Sequence, residues 1–317
     1  MKLEKLDCLA DSLFCTKRVA YYVGRRCRDS SIRDIAEDLR LDWRTVKALE
    51  MQYMREQLRR VGAPRPKVVG IDEVSVRKRH TYRIVVSDLE RKRPIWLGGQ
   101  DRSEASLDLF FEQLGLKKSR GIRLAVMDMG KPFHNSTQKY ASQAAILFDK
   151  FHVIRHLNEA LDKVRKSEYA RLSVKDRRFI KGQKYTLLSR RENLSTEGRK
   201  ALKILLKAKK RLNTAYVLKE SFSQLCEYKQ EGWARNFFEH WQASLKWQRL
   251  RAYEESAERI ESHWDGIAAF IQLEDKVSLA FVEGLNNKIR VIQRRAYGLP
   301  DDEYLRLKVL TCILPPI

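Results

Sequence analysis

Residues 67–76 read KVVGIDEVSV, a β-branched, apolar run of the kind that forms a buried strand. Two carboxylates, Asp72 and Glu73, stand side by side in its middle. Neighbouring strand residues point to opposite faces, so two covered faces would leave each acid needing its own compensation. A solvated edge strand is the plain explanation for one such acid. A second stretch argues otherwise: IRLAVMD at 122–128 is strongly apolar and also closes on an acid, Asp128. In mixed α/β sheets, strand ends line the site crevice. If the two strands are neighbours, Asp72 and Asp128 meet, and a divalent cation is a good way to stabilise them. Oxygen ligands with few imidazoles nearby suit magnesium or manganese.

The segments around these strands set the fold class. TYRIVVSDL (81–89) and RPIWLGG (93–99) continue the first strand as a meander, with turns rich in Arg, Lys and Asp. SEASLDLFFEQLG (103–115) has helical spacing and ends at Gly115. HNSTQKYASQ (134–143) reads as a helix and AAILFDKFH (144–152) as a strand. Three meandering strands, then helix, strand, helix and strand, give an α/β plan with a mixed sheet. Residues 153–275 are expected to be helical throughout, interrupted near Gly182, Asn193–Thr196 and Gly232. Trp233, Phe237, Phe238, Trp241, Trp247 and Trp264 fall there on helical spacings and are read as core. KVSLAFVEGLNNKIRVIQRRAYGLP (276–300) reads as one long helix, with Gly298 at its C-terminal cap and Pro300 stopping it.

Residues 1–60 read as helical and contain a helix-turn-helix pattern. Ser31 caps a first helix with Asp34 in the capping-box position, and Ile32, Ile35, Ala36 and Leu39 form its apolar stripe. Asp42 caps a second helix with Val46 and Leu49 inward and Arg44 and Lys47 outward, where a recognition helix meets DNA. GAPRPK (62–67) is a linker. The expected organisation is a helix-turn-helix region over 1–61, a catalytic core over 67–152, a basic all-helical insertion over 153–275, and a closing helix and C-terminus over 276–317.

Charge points to the partner. Lys+Arg number 64 against 41 Asp+Glu, a formal net charge of +23. The 49 residues from Lys163 to Arg211 hold 18 basic and 4 acidic side chains, so this stretch carries +14 of that total. A basic helical stretch of this density suits a phosphate backbone. Hydrophobic content of 43% fits a folded chain, and the longest apolar runs are too short to span a bilayer. Five scattered cysteines without a CxxC pair support neither a disulfide framework nor a zinc ribbon. The N-terminus has no secretory pattern. A reduced, cytoplasmic, nucleoid-associated protein is expected.

A third acid would complete the site begun by Asp72 and Asp128, and Glu283 is the best candidate. Asn286 and Asn287, Arg290 and Arg294 follow it along the same helix. One carboxylate followed by a row of arginines is what a metal ligand plus a phosphate clamp requires.

An Asp on a first strand, an Asp ending a later strand and a Glu on a closing helix is the order of ribonuclease-H-like polynucleotidyl transferases. GIDE, VMDMG, DKFHVIRHLNEALDKVR, SHWDGI and FVEGLNNKIRVIQRRAYG together resemble DDE transposases of the ISL-three insertion-sequence family, from about residue 30 to the C-terminus. The resemblance implies an RNase H-like mixed sheet flanked by helices, with an N-terminal helix-turn-helix and a large all-helical insertion. It implies that Asp72, Asp128 and Glu283 are the catalytic triad and hold two Mg²⁺ ions, with Mn²⁺ as a substitute. It places Asp149 and His152 of DKFH, together with Asn287, beside the site. Arg290, Arg294 and Arg295 then join Arg44 and Lys47 as DNA contacts. The implied activity is DNA cleavage and strand transfer at insertion-sequence ends and target DNA, by a homodimer or higher assembly on DNA. The chain departs from the family twice. The usual N-terminal zinc ribbon is expected to be missing or degenerate, with only Cys8 and Cys15 at unsuitable spacing. Gly130, Lys131 and Pro132 replace the usual Trp and helix start after Asp128. An inactive or repurposed DNA-binding protein is therefore the alternative, and a structure-selective nuclease of the same superfold a third reading.

Overall fold

The computed structural model describes residues 8–11, 14–77, 81–148, 150–171, 177, 182–272, 280–296 and 301–317. The N-terminal helices are α1 (Lys17–Arg26), α2 (Ile32–Leu39) and α3 (Trp43–Val61). Ser31 and Asp34 form a reciprocal capping box on α2 and the Asp42 carboxylate accepts from the Arg44 N–H on α3. Each such cap stabilises its helix by about 1 kcal/mol. The apolar stripes meet as expected: Val23, Cys27, Ile35, Val46 and Leu49 form one buried cluster. α1 crosses α3 at Gly24, where an added Cβ would lie 2.2 Å from Cγ of Tyr53.

The sheet contains β1 (Val68–Arg77), β2 (Thr81–Asp88), β3 (Arg93–Gly98), β4 (Leu124–Met127) and β5 (Ala145–Phe148). Its order is β3-β2-β1-β4-β5. β1–β2 and β2–β3 pair antiparallel, whereas β1–β4 is parallel. The antiparallel meander needs only tight turns, while the parallel step needs a crossover. α4 (Glu104–Leu114) and α5 (Leu116–Ser119) supply it. α6 (Lys131–Tyr140) joins β4 to β5. This is the mixed sheet with flanking helices that the sequence suggests.

Three expectations need correction here. α6 begins at Lys131, not His134, because Gly130 takes the N-cap position and Pro132 sits in the first turn. The missing N–H of a proline costs nothing there. β5 ends at Phe148, and α7 (Lys150–Ala170) takes over where a strand through His152 was expected. Val153, Leu157, Leu161 and Val164 are buried on α7, so helical periodicity wins over the short apolar run. Trp233 and Trp247 are 63% and 82% exposed, so neither belongs to the core.

The chain divides into two compact units, residues 1–145 with 278–317, and residues 146–277. In the first, α14 (Ala280–Arg295) and α15 (Asp302–Thr311) cover one face of the sheet. Leu285, Ile289, Leu305 and Val309 of these helices pack on Val74, Val85 and Leu97 of the three meander strands. The expected cap at Gly298 and stop at Pro300 lie outside the described residues.

The second unit is helical after β5. It contains α7, α8 (Lys184–Leu188), α9 (Thr196–Ala208), α10 (Lys210–Phe222), α11 (Glu231–Leu245), α12 (Arg251–Glu261) and α13 (Trp264–Gln272). Phe222, Phe238 and Trp241 form an aromatic cluster. The buried polar tips find carbonyls: Trp241 Nε1 donates to Leu218 O at 3.0 Å and Tyr253 Oη to Ala215 O at 2.5 Å. Among the described residues, no helix is long and apolar enough to cross a membrane.

Candidate active site

The two strand acids answer the question posed by their adjacency. Asp72 and Val74 share one face of β1, the face that α14 and α15 cover. Glu73 points to the opposite face, where Arg102 meets it at 2.5 Å. The Arg102 guanidinium also lies 3.9 Å from the ring centroid of Tyr82. Glu73 is thus a structural salt-bridge partner, and its neighbour alone faces α14.

β1 and β4 run parallel with Ile71 opposite Met127, the last residue of β4. Asp72 and Asp128 are each one residue further on, at the same level on adjacent strands. Local donors steady both. Asp72 Oδ1 accepts from the Glu73 N–H at 2.8 Å, and Asp128 Oδ1 from the Met129 N–H at 2.6 Å. The Asp128 carbonyl accepts from the Gly130 N–H at 2.7 Å, a tight turn that leads directly into α6. The Gly130–Lys131–Pro132 departure therefore forms a regular helix start.

α14 brings the third element. Asn286 Nδ2 donates to Asp72 Oδ2 at 2.7 Å, a bond between residues 214 positions apart. Asn286 is 6% exposed, and its Oδ1 is buried without a hydrogen-bond partner. It belongs to the buried stripe of Val282, Leu285 and Ile289, which is why it faces the sheet. Glu283 lies three residues earlier, one turn away on the same side of the helix, with an exposed side chain. Asn287 points outward and accepts from Arg290 at 3.0 Å. Asn286 is thus the asparagine bonded to Asp72, while Asn287, one turn after Glu283, is exposed and paired with Arg290. The apolar spacing around position 286 carried that signal.

The basic residues divide. Arg44 is exposed beside Trp43, with its guanidinium 5.4 Å from that ring centroid. Lys47 does not project freely: its ammonium lies 2.7 Å from Asp301 and over the Tyr304 ring. Arg290 and Arg294 are exposed on α14, and Arg295 donates to the Arg28 carbonyl at 3.1 Å. Asp149 lies outside the described residues, as does the side chain of His152.

Among the described residues, no three His, Cys, Asp or Glu groups form a ready-made metal nest. The donor chemistry nevertheless fits a hard divalent cation. Asp72 and Asp128 stand level, and Asp72 meets an asparagine whose buried amide oxygen lacks a hydrogen-bond partner, a set of oxygen donors that suits such an ion.

A family profile described as Transposase, of the DDE type of ISL3, matches residues 69–309 and so spans all three acids. A second, for the helix-turn-helix domain of transposase family ISL3, matches residues 14–53. The chain belongs to the ISL3 transposase family. This is the ISL-three family of the sequence resemblance. Among its relatives is the transposase for insertion sequence element IS1001 of Bordetella parapertussis. That protein is 32% identical over 311 residues, covering 97% of this chain and 76% of the relative. The transposase for insertion sequence element IS1557 of Mycobacterium tuberculosis is 28% identical over 296 residues, covering 86% of this chain and 66% of that protein. Membership makes this an RNase H-like α/β transposase with a DNA-binding helix-turn-helix. The family's DDE type implies use of a divalent metal.

Proposed function

We propose that this chain is a DDE-type polynucleotidyl transferase that cuts and joins DNA at the ends of an insertion sequence. The carrying observation is the level placement of Asp72 and Asp128 on adjacent strands, with Asn286 of the Glu283 helix bonded to Asp72. Asp72, Asp128 and Glu283 would hold Mg²⁺, or Mn²⁺ in its place, as a two-ion site. The bound ions supply Lewis-acid polarisation of the scissile phosphate and a water of lowered pKa. The backbone N–H donors on Asp72 and Asp128 orient these carboxylates, and Asn286 holds α14 at the strand ends. Water attacks phosphorus, the P–O3′ bond breaks, and the 3′ oxygen leaves as a hydroxyl. In strand transfer, that hydroxyl loses its proton and attacks the phosphorus of a second phosphodiester, whose own P–O3′ bond breaks so that its 3′ oxygen leaves as a hydroxyl. Arg44 reads the end from the helix-turn-helix, while Arg290 and Arg294 neutralise phosphates beside the site. The basic second unit holds flanking DNA, and the protein works as a homodimer or higher assembly on DNA at the nucleoid.

The test is cleavage of end-containing DNA by the wild-type chain and by Asp128→Asn, with Mg²⁺, with Mn²⁺ and with chelator. Metal-dependent nicking and joining by wild type alone is expected, with DNA binding retained by the variant. Nicking by Asp128→Asn at the wild-type rate overturns the triad. One observation favours the competing reading of a DNA-binding protein without cleavage: Glu283 is exposed, and among the described residues no three His, Cys, Asp or Glu groups gather as a metal nest. That reading expects binding with no metal-dependent product. A plain nuclease would give cut ends without joined products.

A further inference from the structure

The helix-turn-helix is bolted to the unit that carries the acids. Glu50, in the middle of α3, is 2% exposed. Its carboxylate meets the Lys308 ammonium of α15 at 2.5 Å and accepts from the Tyr304 hydroxyl. Lys308 also donates to the Cys27 carbonyl at 3.0 Å, tying in the end of α1. Around this buried centre, Lys47 meets Asp301 at 2.7 Å and Arg55 meets Glu303 at 2.8 Å. Gln57 donates to the Pro315 carbonyl at 2.7 Å. The other face of α15 is fixed to the sheet and to α14 through Leu305 and Val309. Buried charged contacts of this kind fit only in one register, so they suit a fixed docking better than a tether. The connection from α3 to β1 is short and holds Pro64 and Pro66, which restrict it further.

α14 spans the remaining distance. Its C-terminal half lines a cavity of about 1270 Å³ together with α2 and the start of α3, with Trp43, Lys47, Lys288 and Arg295 on the walls. Its N-terminal half holds Asn286 on Asp72. From Arg295 back to Glu283 the helix is roughly 18 Å long. That length matches about five base pairs of duplex. The exposed face along it carries Arg290 and Arg294, complementary to phosphates.

We infer that the reading helices and the acids of one chain grip the same DNA end, with α14 as the fixed spacer between them. The inference rests on the function proposed above and adds that the end is read and cut in cis. A transposase that reads one end and cuts its partner's would need no such bolt between the two elements.

Two experiments test this. In the first, Arg44→Glu chains, with intact acids, are mixed with Asp128→Asn chains, with intact reading helices, and given end DNA that the wild type cleaves. Cleavage no faster than by Arg44→Glu alone is expected, and restoration to near the wild-type rate overturns action in cis. The second needs no catalysis, so it decides the inference even where the wild type cuts nothing. A photoreactive phenylalanine analogue replaces Val291, an exposed α14 residue, in the Asp128→Asn chain. The DNA end carries an inserted half-turn between the read segment and the terminus. Cross-links that keep their spacing from the read segment are expected. Cross-links that stay with the terminus, or none at all on DNA that the chain binds, overturn the inference.

Discussion

Helices α3 and α9 look alike in sequence, each lysine- and arginine-rich with few acids, yet their charges are used in opposite ways. On α3, Lys47 and Arg55 face Asp301 and Glu303, and buried Glu50 faces Lys308, all partners from the far end of the chain. On α9, Leu202 and Leu205 are buried, while Lys200, Lys203 and Lys207 stand exposed beside Ile204 on the outer face. Charge density alone therefore does not identify a DNA surface. Where the matching acid comes from decides whether a lysine positions a helix or meets phosphate.

The α3 arrangement breaks most sharply at its buried centre. Lys308→Ala leaves the Glu50 carboxylate buried with only neutral side-chain donors, the Tyr304 hydroxyl and the Cys27 thiol. Loss of a buried charge partner costs on the order of 3–5 kcal/mol. Urea unfolding should show that loss. Replacing both charges, with Glu50→Leu and Lys308→Met, should recover most of it, because the apolar pair carries no desolvation penalty. A double variant as unstable as Lys308→Ala would mean that packing around α15, and not the ion pair, is at stake.

In each unit a glycine lies under a large buried ring. A Cβ at Gly24 would lie 2.2 Å from Tyr53, and one at Gly266 would lie 2.3 Å from Phe148. Both rings are buried, so neither moves freely. Gly24→Ala and Gly266→Ala should each destabilise by about 1–3 kcal/mol through overpacking. The Gly24 variant should also weaken binding to end DNA, since it displaces α1 from α3 in the reading region. The Gly266 variant should leave end recognition intact. Equal loss of end binding in both would contradict that division.

The contrast also marks what was legible in the sequence. The caps at Ser31 and Asp42 and the three meander strands were readable because they are set by residues a few positions apart. The facing of Asp72 and Glu73 to opposite sides followed from strand alternation alone. The partner of Lys47 was not readable, because Asp301 lies 254 positions away. The start of α6 was misplaced because Gly130 and Pro132 resemble a turn, although both are acceptable at a helix beginning. Asn286 and Asn287 are identical as letters, and only the stripe of Val282, Leu285 and Ile289 separates them. Trp233 and Trp247 sit at helical spacing, but periodicity cannot tell which faces the fold leaves uncovered.

On the α9 side, the effect should appear in binding and not in folding. Lys200→Ala, Lys203→Ala and Lys207→Ala combined remove three exposed charges and little packing, so stability should stay within about 0.5 kcal/mol. If this face lies on DNA, the slope of log K against log salt should fall by about one for each phosphate that is no longer neutralised. Titration of duplex at several salt concentrations measures it. An unchanged slope would return α9 to the status of a solvated surface.

The smallest effect belongs to the exposed end of the α3 contact, and it depends on pH. The Lys47 ammonium, with help from the Tyr304 N–H, holds the Asp301 carboxyl below the usual carboxylate range. Its folded pKa is lower than its unfolded one, so it adds stability above the unfolded value. That contribution disappears as the pH falls through the folded value. The pair is partly solvated and worth at most about 1 kcal/mol. Asparagine caps helices as well as aspartate, so Asp301→Asn removes the charge while keeping the cap of α15. The variant should be slightly less stable than wild type at neutral pH, and the difference should shrink as the pH drops below about 4. A deficit in Asp301→Asn that is unchanged at the lowest pH would assign the residue's role to geometry and remove Lys47 from the contact.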